Sequence, residues 1–302
     1  MYTRMLIPLD GSKLAENVLP YARALAGALK LPVELLSVVD LMDFARTANA
    51  GHVRDFDPLI EAATQEGKVY LERIARSFGG TKVSYAVERG VADKIIIENG
   101  GRDKDTLIAM ATRGRSGIHR WLMGSVAEKV LRGATNPLLL VRGDEDKKTD
   151  GAVALKSVVV PLDGSKLAES VLPRAIELAK KLSLAIVLTR AYQIPLSAAY
   201  AGAEASYIPN QDALLKLIRE EAGAYLEEKV NELRQNGIDK VSSILLVGSG
   251  ADEIIDLART TPDNLIAMCT HGRSGVNRWV LGSVTEKVVR HSGDPVLVVR
   301  AE

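Results

Sequence analysis

Short apolar runs alternate along the chain with stretches in which apolar residues recur every three or four positions. RMLIPL reads as a buried strand, and Leu14, Val18, Ala22, Leu25 and Leu29 then trace one face of a helix. VELLSVV is a second strand, and Leu59, Ala63, Leu71, Ile74 and Phe78 mark another helix. KVSYAV is a third strand and DKIIIENG opens the next helix, after which DTLIAMA, SVAEKVLRGA and PLLLVR follow as strand, helix and strand. Apolar strands alternating with helices predict a five-stranded parallel sheet of α/β type with helices on both faces.

The same series occurs twice. PLDGSKLAE stands at residues 8–16 and again at 161–169, an offset of 153 (8 to 161). LIAMATRGRSGIHRWLMGSVAEKVLRGATNPLLLVR at 107–142 matches LIAMCTHGRSGVNRWVLGSVTEKVVRHSGDPVLVVR at 265–300, an offset of 158 (107 to 265). The copies differ most in 41–56 and 194–212, which read as variable loops. GDEDKKTDGAVALK, rich in charge and glycine, reads as the connection between copies. The expected organisation is a first domain over 1–143, a linker over 144–153 and a second domain over 154–302.

Composition narrows the function. Lys and Arg total 39 against 38 Asp and Glu, so no net field draws the chain to nucleic acid, whereas a few aligned donors still suffice for a small phosphorylated ligand. A single cysteine, Cys269, excludes an internal disulfide framework and fits a reducing cytoplasm. No apolar run approaches the ~18 residues of a membrane helix, and the first residues lack a signal-type apolar stretch, so a soluble cytoplasmic protein is expected.

The chemistry concentrates in two loops. Gly114 is followed by nine residues and then Gly124-Ser125, and the second copy repeats this as Gly272, nine residues and Gly282-Ser283. Glycine lets the backbone approach a ligand closely, and the start of the following helix offers unpaired N–H groups to a phosphate. Ser125-x-x-Glu128 and Ser283-x-x-Glu286 equally have the spacing of a capping box, and spacing alone serves both roles. Asp10 and Asp163 end the first strand of each copy, where a carboxylate can accept from a ribose or base, or begin an Asx-turn into the next helix. Trp121 and Trp279 read as packing or interface residues, and His271 replaces Arg113 in the second loop. There is no Gly-x4-Gly-Lys-Ser/Thr loop, no metal-ligand spacing and no nucleophilic triad, and Gly248-Ser-Gly250 reads as a turn because Glu253 stands where a dinucleotide fingerprint needs glycine.

PLDGS at the first strand end, with T-x-G-R-S-G and the following Gly-Ser helix start, resembles the universal stress protein family over essentially the whole chain. The family's ATP-associated pattern is Gly-x2-Gly-x9-Gly-Ser/Thr. Both copies keep its last three elements, while Ala111 and Cys269 replace its first glycine. The resemblance implies a Rossmann-like fold of the adenine nucleotide alpha hydrolase type and a bound adenine nucleotide: ATP, with Mg2+ on its phosphates, or alternatively AMP or another adenine nucleotide. By similarity, Pro8, Asp10 and Val38 would meet the base and ribose of the first copy. Met110, Thr112, Gly114, Gly124, Ser125 and Val126 would line its ribose and phosphates, while Arg115, like Arg273 in the second loop, either meets the terminal phosphates with its planar donors or is a solvated surface arginine. Pro161, Asp163, Ala191, Met268, Thr270, Gly272, Arg273, Gly282, Ser283 and Val284 would do the same in the second. The resemblance also implies an internal pseudo-dimer through the two fifth strands, NPLLLVR and DPVLVVR, with homo-oligomers as a further form. The expected role is stress-response sensing by binding rather than turnover. A nucleotide-free dimerisation or partner-binding module and a slow ATP-hydrolysing enzyme are the alternatives.

Overall fold

The computed structural model describes residues 1–40, 57–113, 123–144, 149, 151–193, 211–270 and 281–300. The alternation read from sequence appears in the first copy as β1 (Arg4–Pro8), α1 (Lys13–Glu16), α2 (Leu19–Leu29), β2 (Val33–Val39), α3 (Asp57–Ala75), β3 (Val83–Arg89), α4 (Ala92–Gly101), β4 (Thr106–Ala111), α5 (Ser125–Gly133) and β5 (Leu138–Val141). The second copy gives β6 (Ser157–Pro161), α6 (Lys166–Glu169), α7 (Leu172–Leu182), β7 (Ala185–Tyr192), α8 (Gln211–Gln235), β8 (Val241–Val247), α9 (Gly250–Thr260), β9 (Asn264–Cys269), α10 (Ser283–His291) and β10 (Val296–Val299).

The stripe from Leu14 to Leu29, which predicts one helix, is divided between α1 and α2. Pro20 is the cause. It has no N–H for the Glu16 carbonyl, and its ring would collide with that carbonyl in a continuous helix. Asn17 ends α1 and its Nδ2 donates to the carbonyl of Lys13 at 3.0 Å. Pro173 makes the same break between α6 and α7.

Contacts divide the chain into two compact units. The first holds residues 1–154 together with Pro295–Arg300. Its strand order is β3-β2-β1-β4-β5, parallel throughout, with β10 antiparallel to β5 in the register Val296↔Leu140, Leu297↔Leu139 and Val298↔Leu138. In the second unit β8-β7-β6-β9 are parallel neighbours. The central strands are the driest: every residue of β4 and β9 is buried, as strands covered on both faces require.

In the first unit α3 packs on β2 and β3 and meets α1 through an Arg73–Glu16 ion pair of 2.8 Å, while α4 packs on β1, β2 and β4 beside α5. Both faces of the sheet are thus covered, and the carboxyl ends of β1, β2 and β4 come out side by side. β1 carries Asp10 just beyond its end, β2 carries Val38, and β4 leads into the glycine loop. In such sheets ligands bind at strand carboxyl ends where the winding reverses, here between β1 and β4.

Candidate functional site

The site starts with a turn. Asp10 Oδ1 accepts from the Ser12 amide at 2.9 Å and from the Ser12 hydroxyl at 2.6 Å, with Gly11 between them at φ 83°. That left-handed angle suits glycine. Ser12 Oγ in turn accepts from the Ala15 amide at 3.1 Å and caps α1. Asp163, Gly164 (φ 87°), Ser165 and Ala168 repeat the arrangement at 2.9, 2.6 and 3.1 Å. Asp10 therefore makes the Asx-turn and also faces the cavity described below.

At the end of β4 the chain leaves the sheet and returns at Gly124. The Thr112 amide donates to the Val141 carbonyl and the Gly124 amide to the Thr112 carbonyl, each at 2.8 Å, which pins the return of the loop to its departure. Gly124 (φ −64°, ψ 146°) is the N-cap of α5, and its carbonyl accepts the Glu128 amide at 2.9 Å. The capping-box alternative for Ser125 is not realised: Ser125 is the first helical residue and its side chain is exposed. Gly282, with its amide on the Thr270 carbonyl at 2.8 Å, caps α10 in the same way and leaves Ser283 in the first turn. The amides of Ser125, Val126 and Ala127 are those that a helix start leaves without an intrahelical acceptor. They carry the positive end of the helix dipole. At the other end of α5 the Arg300 guanidinium donates to the carbonyls of Leu131, Arg132 and Ala134.

These elements enclose a cavity of about 900 Å³ in the first unit. Pro8, Asp10, Val38, Met110, Thr112, Gly124, Ser125 and Val126 all line it. Its size lies within the range of ~300–1,000 Å³ usual for small-molecule sites. Gly114, Arg115, Gly272, Arg273, His271, Trp121 and Trp279 lie outside the described residues. In the second unit a Cβ placed on Gly250 would lie 3.8 Å from Ala191 Cβ and 3.9 Å from Val284 Cγ2, so those two side chains converge. Pro161 ends β6, and Met268 and Thr270 are buried at the end of β9. Cys269 is also buried and receives the Ser170 hydroxyl on its sulfur at 3.3 Å.

Several lining residues escaped the reading of the sequence. Ala63, Glu66, Gly67 and Tyr70 bring α3 to the cavity, opposite Ser37 of β2. Burial, with the neighbouring Glu16 carboxylate, pushes the Tyr70 phenol far above its ordinary pKa, so it stays a neutral hydroxyl. The rim carries Lys94, Lys129 and Arg113. Lys129 pairs with Asp93 at 3.2 Å, and Asp40 Oδ2 accepts the Ala92 amide at 3.4 Å where α4 begins. Partial burial and the charge of Arg142 lower the Arg113 pKa below the ordinary arginine value. One signal was available: Tyr70 and Tyr225 fall at matching places of the two copies, as do Glu16 and Glu169.

The profile of the universal stress protein family matches residues 1–142 and, a second time, 154–300. This chain is a member of that family. Two universal stress proteins of Methanocaldococcus jannaschii are each 30% identical to it. One matches over 142 residues, covering 47% of this chain and 83% of the relative, and the other over 158 residues, covering 49% and 97%. The crystal structure of a universal stress protein from Archaeoglobus fulgidus covers 98% of both chains with a TM-score of 0.70 at 22% identity, which shows a shared fold. Within this universal stress protein the cavity brings the amides of the α5 start and the cations Lys94, Lys129 and Arg113 together with apolar residues, Ser37, Tyr70 and the carboxylates of Asp10 and Glu66. That combination suits a ligand with an anionic tail and a flat, uncharged head.

Proposed function

We propose that this universal stress protein binds ATP in the first-unit cavity and acts as a stress-response sensor or regulator through binding rather than turnover. The observation that carries the reading is the convergence of the α5 start with Asp10 and Val38 on one cavity. Phosphates would lie on the amides of Ser125 and Val126, with Lys94, Lys129 and Arg113 at the rim. The nucleoside would lie over β1 and β2, with Asp10 toward the ribose and Val38 and Met110 against the base. Any Mg2+ would arrive on the triphosphate, since among the described residues no cluster of His, Cys, Asp or Glu is arranged to hold a metal. Asp10 Oδ1 is engaged by the amide and hydroxyl of Ser12, which holds the carboxylate in place on the cavity wall. The internal pseudo-dimer through β5 and β10 and a cytoplasmic location belong to the same reading, supported by the antiparallel β5–β10 ladder and by the single, buried cysteine.

Calorimetric titration of the nucleotide-free protein with ATP tests this. Gly124→Val keeps a φ that any residue adopts but puts a branched side chain on the cavity wall beside the phosphate donors. Each hydrogen bond to a charged group is worth about 1.5–3 kcal/mol, so disturbing two should weaken ATP by roughly 100-fold or more. Unaltered affinity in Gly124→Val would remove the phosphates from α5. Steady release of ADP at the rate of a working enzyme would favour the ATP-hydrolysing alternative.

A further inference from the structure

The two units differ at the nucleoside end of the site. Gly90 (φ 144°) and Gly248 (φ 142°) mark equivalent turns before α4 and α9. Tyr70 and Tyr225, beside Glu16 and Glu169 respectively, align α3 with α8. With these anchors, Ser37 of β2 corresponds to Arg190 of β7, and Glu66 and Tyr70 to Glu221 and Tyr225.

Ser37, Glu66 and Tyr70 line open cavity in the first unit. In the second unit, the Arg190 guanidinium lies 5.1 Å over the Tyr225 ring and pairs with Glu221 at 3.1 Å, and Arg190 is only 5% exposed. A long side chain thus crosses from β7 to α8 where the first unit has space between β2 and α3. The cation over Tyr70 in the first unit is Arg73, from the same helix and with a largely exposed side chain, so it leaves the strand side open. Two further exchanges act in the same direction. Ala63 on the cavity wall becomes Ile218, and Lys94 on the rim becomes Asp252, which pairs with Lys287 at 2.7 Å. Arg190 and Ile218 thus put more side-chain volume between β7 and α8, and Asp252 puts a carboxylate where the first unit has a lysine.

We propose that the protein holds one nucleotide per chain, in the first unit, and that Arg190 closes the second unit to the base. This rests on the nucleotide-binding reading above. The buried guanidinium is held by a ring face and a carboxylate, and a base entering beside it would have to break both contacts and desolvate the charge.

Calorimetry with ATP counts the sites. Counting sites at the affinity of the natural protein, the expected stoichiometry is one for the natural sequence, none for Gly124→Val, two for Arg190→Ser and one for the double variant Gly124→Val with Arg190→Ser. Ser37→Arg, which transfers the plug to the first unit, should abolish binding by itself. Two sites in the natural sequence, or one site surviving in Gly124→Val, would overturn the proposal while leaving nucleotide binding intact. A stoichiometry of one that stays at one in folded Arg190→Ser and is unaffected by Ser37→Arg would overturn the role of Arg190. No binding by any form would refute the nucleotide reading itself, and this inference with it.

Discussion

Gly100→Val should destabilise the first unit by about 2 kcal/mol, the net of two opposed effects. Removing glycine from the last turn of α4 gains up to ~1 kcal/mol in helix propensity, and less for a β-branched residue. Against this, a Cβ on Gly100 would sit 2.6 Å from Ile108 Cδ1 and 3.1 Å from Asn136 Oδ1. Ile108 is fully buried in β4. Extra methyl groups in a filled core typically cost about 1–3 kcal/mol, and valine brings three carbons. The packing term wins. Urea unfolding followed by circular dichroism should show a lower midpoint for Gly100→Val and partial recovery on adding Ile108→Val, which removes the nearest atom. An unchanged midpoint would mean that α4 shifts away from β4 at little cost.

The second copy shows why glycine belongs at this place. The residue matching Gly100 is Ala258, only 1% exposed, and the copies satisfy the end of the helix differently. In the first, Asn136 Nδ2 donates to the Gly100 and Asp103 carbonyls at 3.1 and 2.9 Å. In the second, Asn264 at the start of β9 reaches the Ala258 and Thr261 carbonyls at 2.9 and 2.6 Å. The Ile108 and Asn136 side chains together take up the room that a Cβ at Gly100 would need, whereas Asn264 approaches from another strand end, beside an alanine. Glycine and asparagine are thus one coupled choice in the first unit.

Glu169→Gln should cost the second unit about 1.5–3 kcal/mol near neutral pH, the worth of hydrogen bonds to a charged group. Glu169 accepts from the Tyr225 hydroxyl at 3.0 Å and pairs with Lys229 at 3.2 Å, and Lys229 is buried between it and Glu232 at 2.8 Å. Burial alone would raise the Glu169 pKa, but hydrogen bonds from Lys229, Tyr225 and Lys166 outweigh it and hold the carboxyl below its ordinary value. The folded pKa therefore lies below the unfolded one, near 4.3 for glutamate. The stabilisation is complete above that ordinary value and disappears as pH falls through the depressed one. The stability gap between the natural protein and Glu169→Gln should be full at pH 7 and should shrink progressively at acid pH. A gap of equal size at pH 7 and pH 3 would show that the charge of Glu169 is immaterial.

Much of the fold was readable because its signals are local. Apolar strands such as DTLIAMA and VELLSVV announce burial on both faces, and nine identical residues announce the repeat. The single stripe from Leu14 to Leu29 misled on one point, since a stripe records which face is buried and not whether the backbone is continuous across Pro20. The role of Ser125 was ambiguous in the sequence because serine favours both the N-cap and the first turn. The extended backbone of Gly124, whose carbonyl takes the Glu128 amide, makes it the cap, and its own amide is held by the Thr112 carbonyl, a contact that the intervening loop hides from any local pattern. Tyr70, Glu66 and Ser37 were illegible for a different reason. Each is ordinary within its own helix or strand, and only the packing of α3 over β2 places them on one cavity.

The ladder between β5 and β10 has a consequence for how the protein is made. β5 ends at Val141, and the strand that covers its edge begins at Val296. On the ribosome, chains emerge from the N-terminus, at roughly 5–20 residues per second. The first unit can assemble most of its core early, but the strand bordering β5, and Arg300 on the last carbonyls of α5, emerge only after the strands and helices of the second unit. Until then the β5 edge presents unpaired backbone groups, the kind of template that invites another nascent chain. The half that is synthesised first thus waits for the second before its sheet is covered.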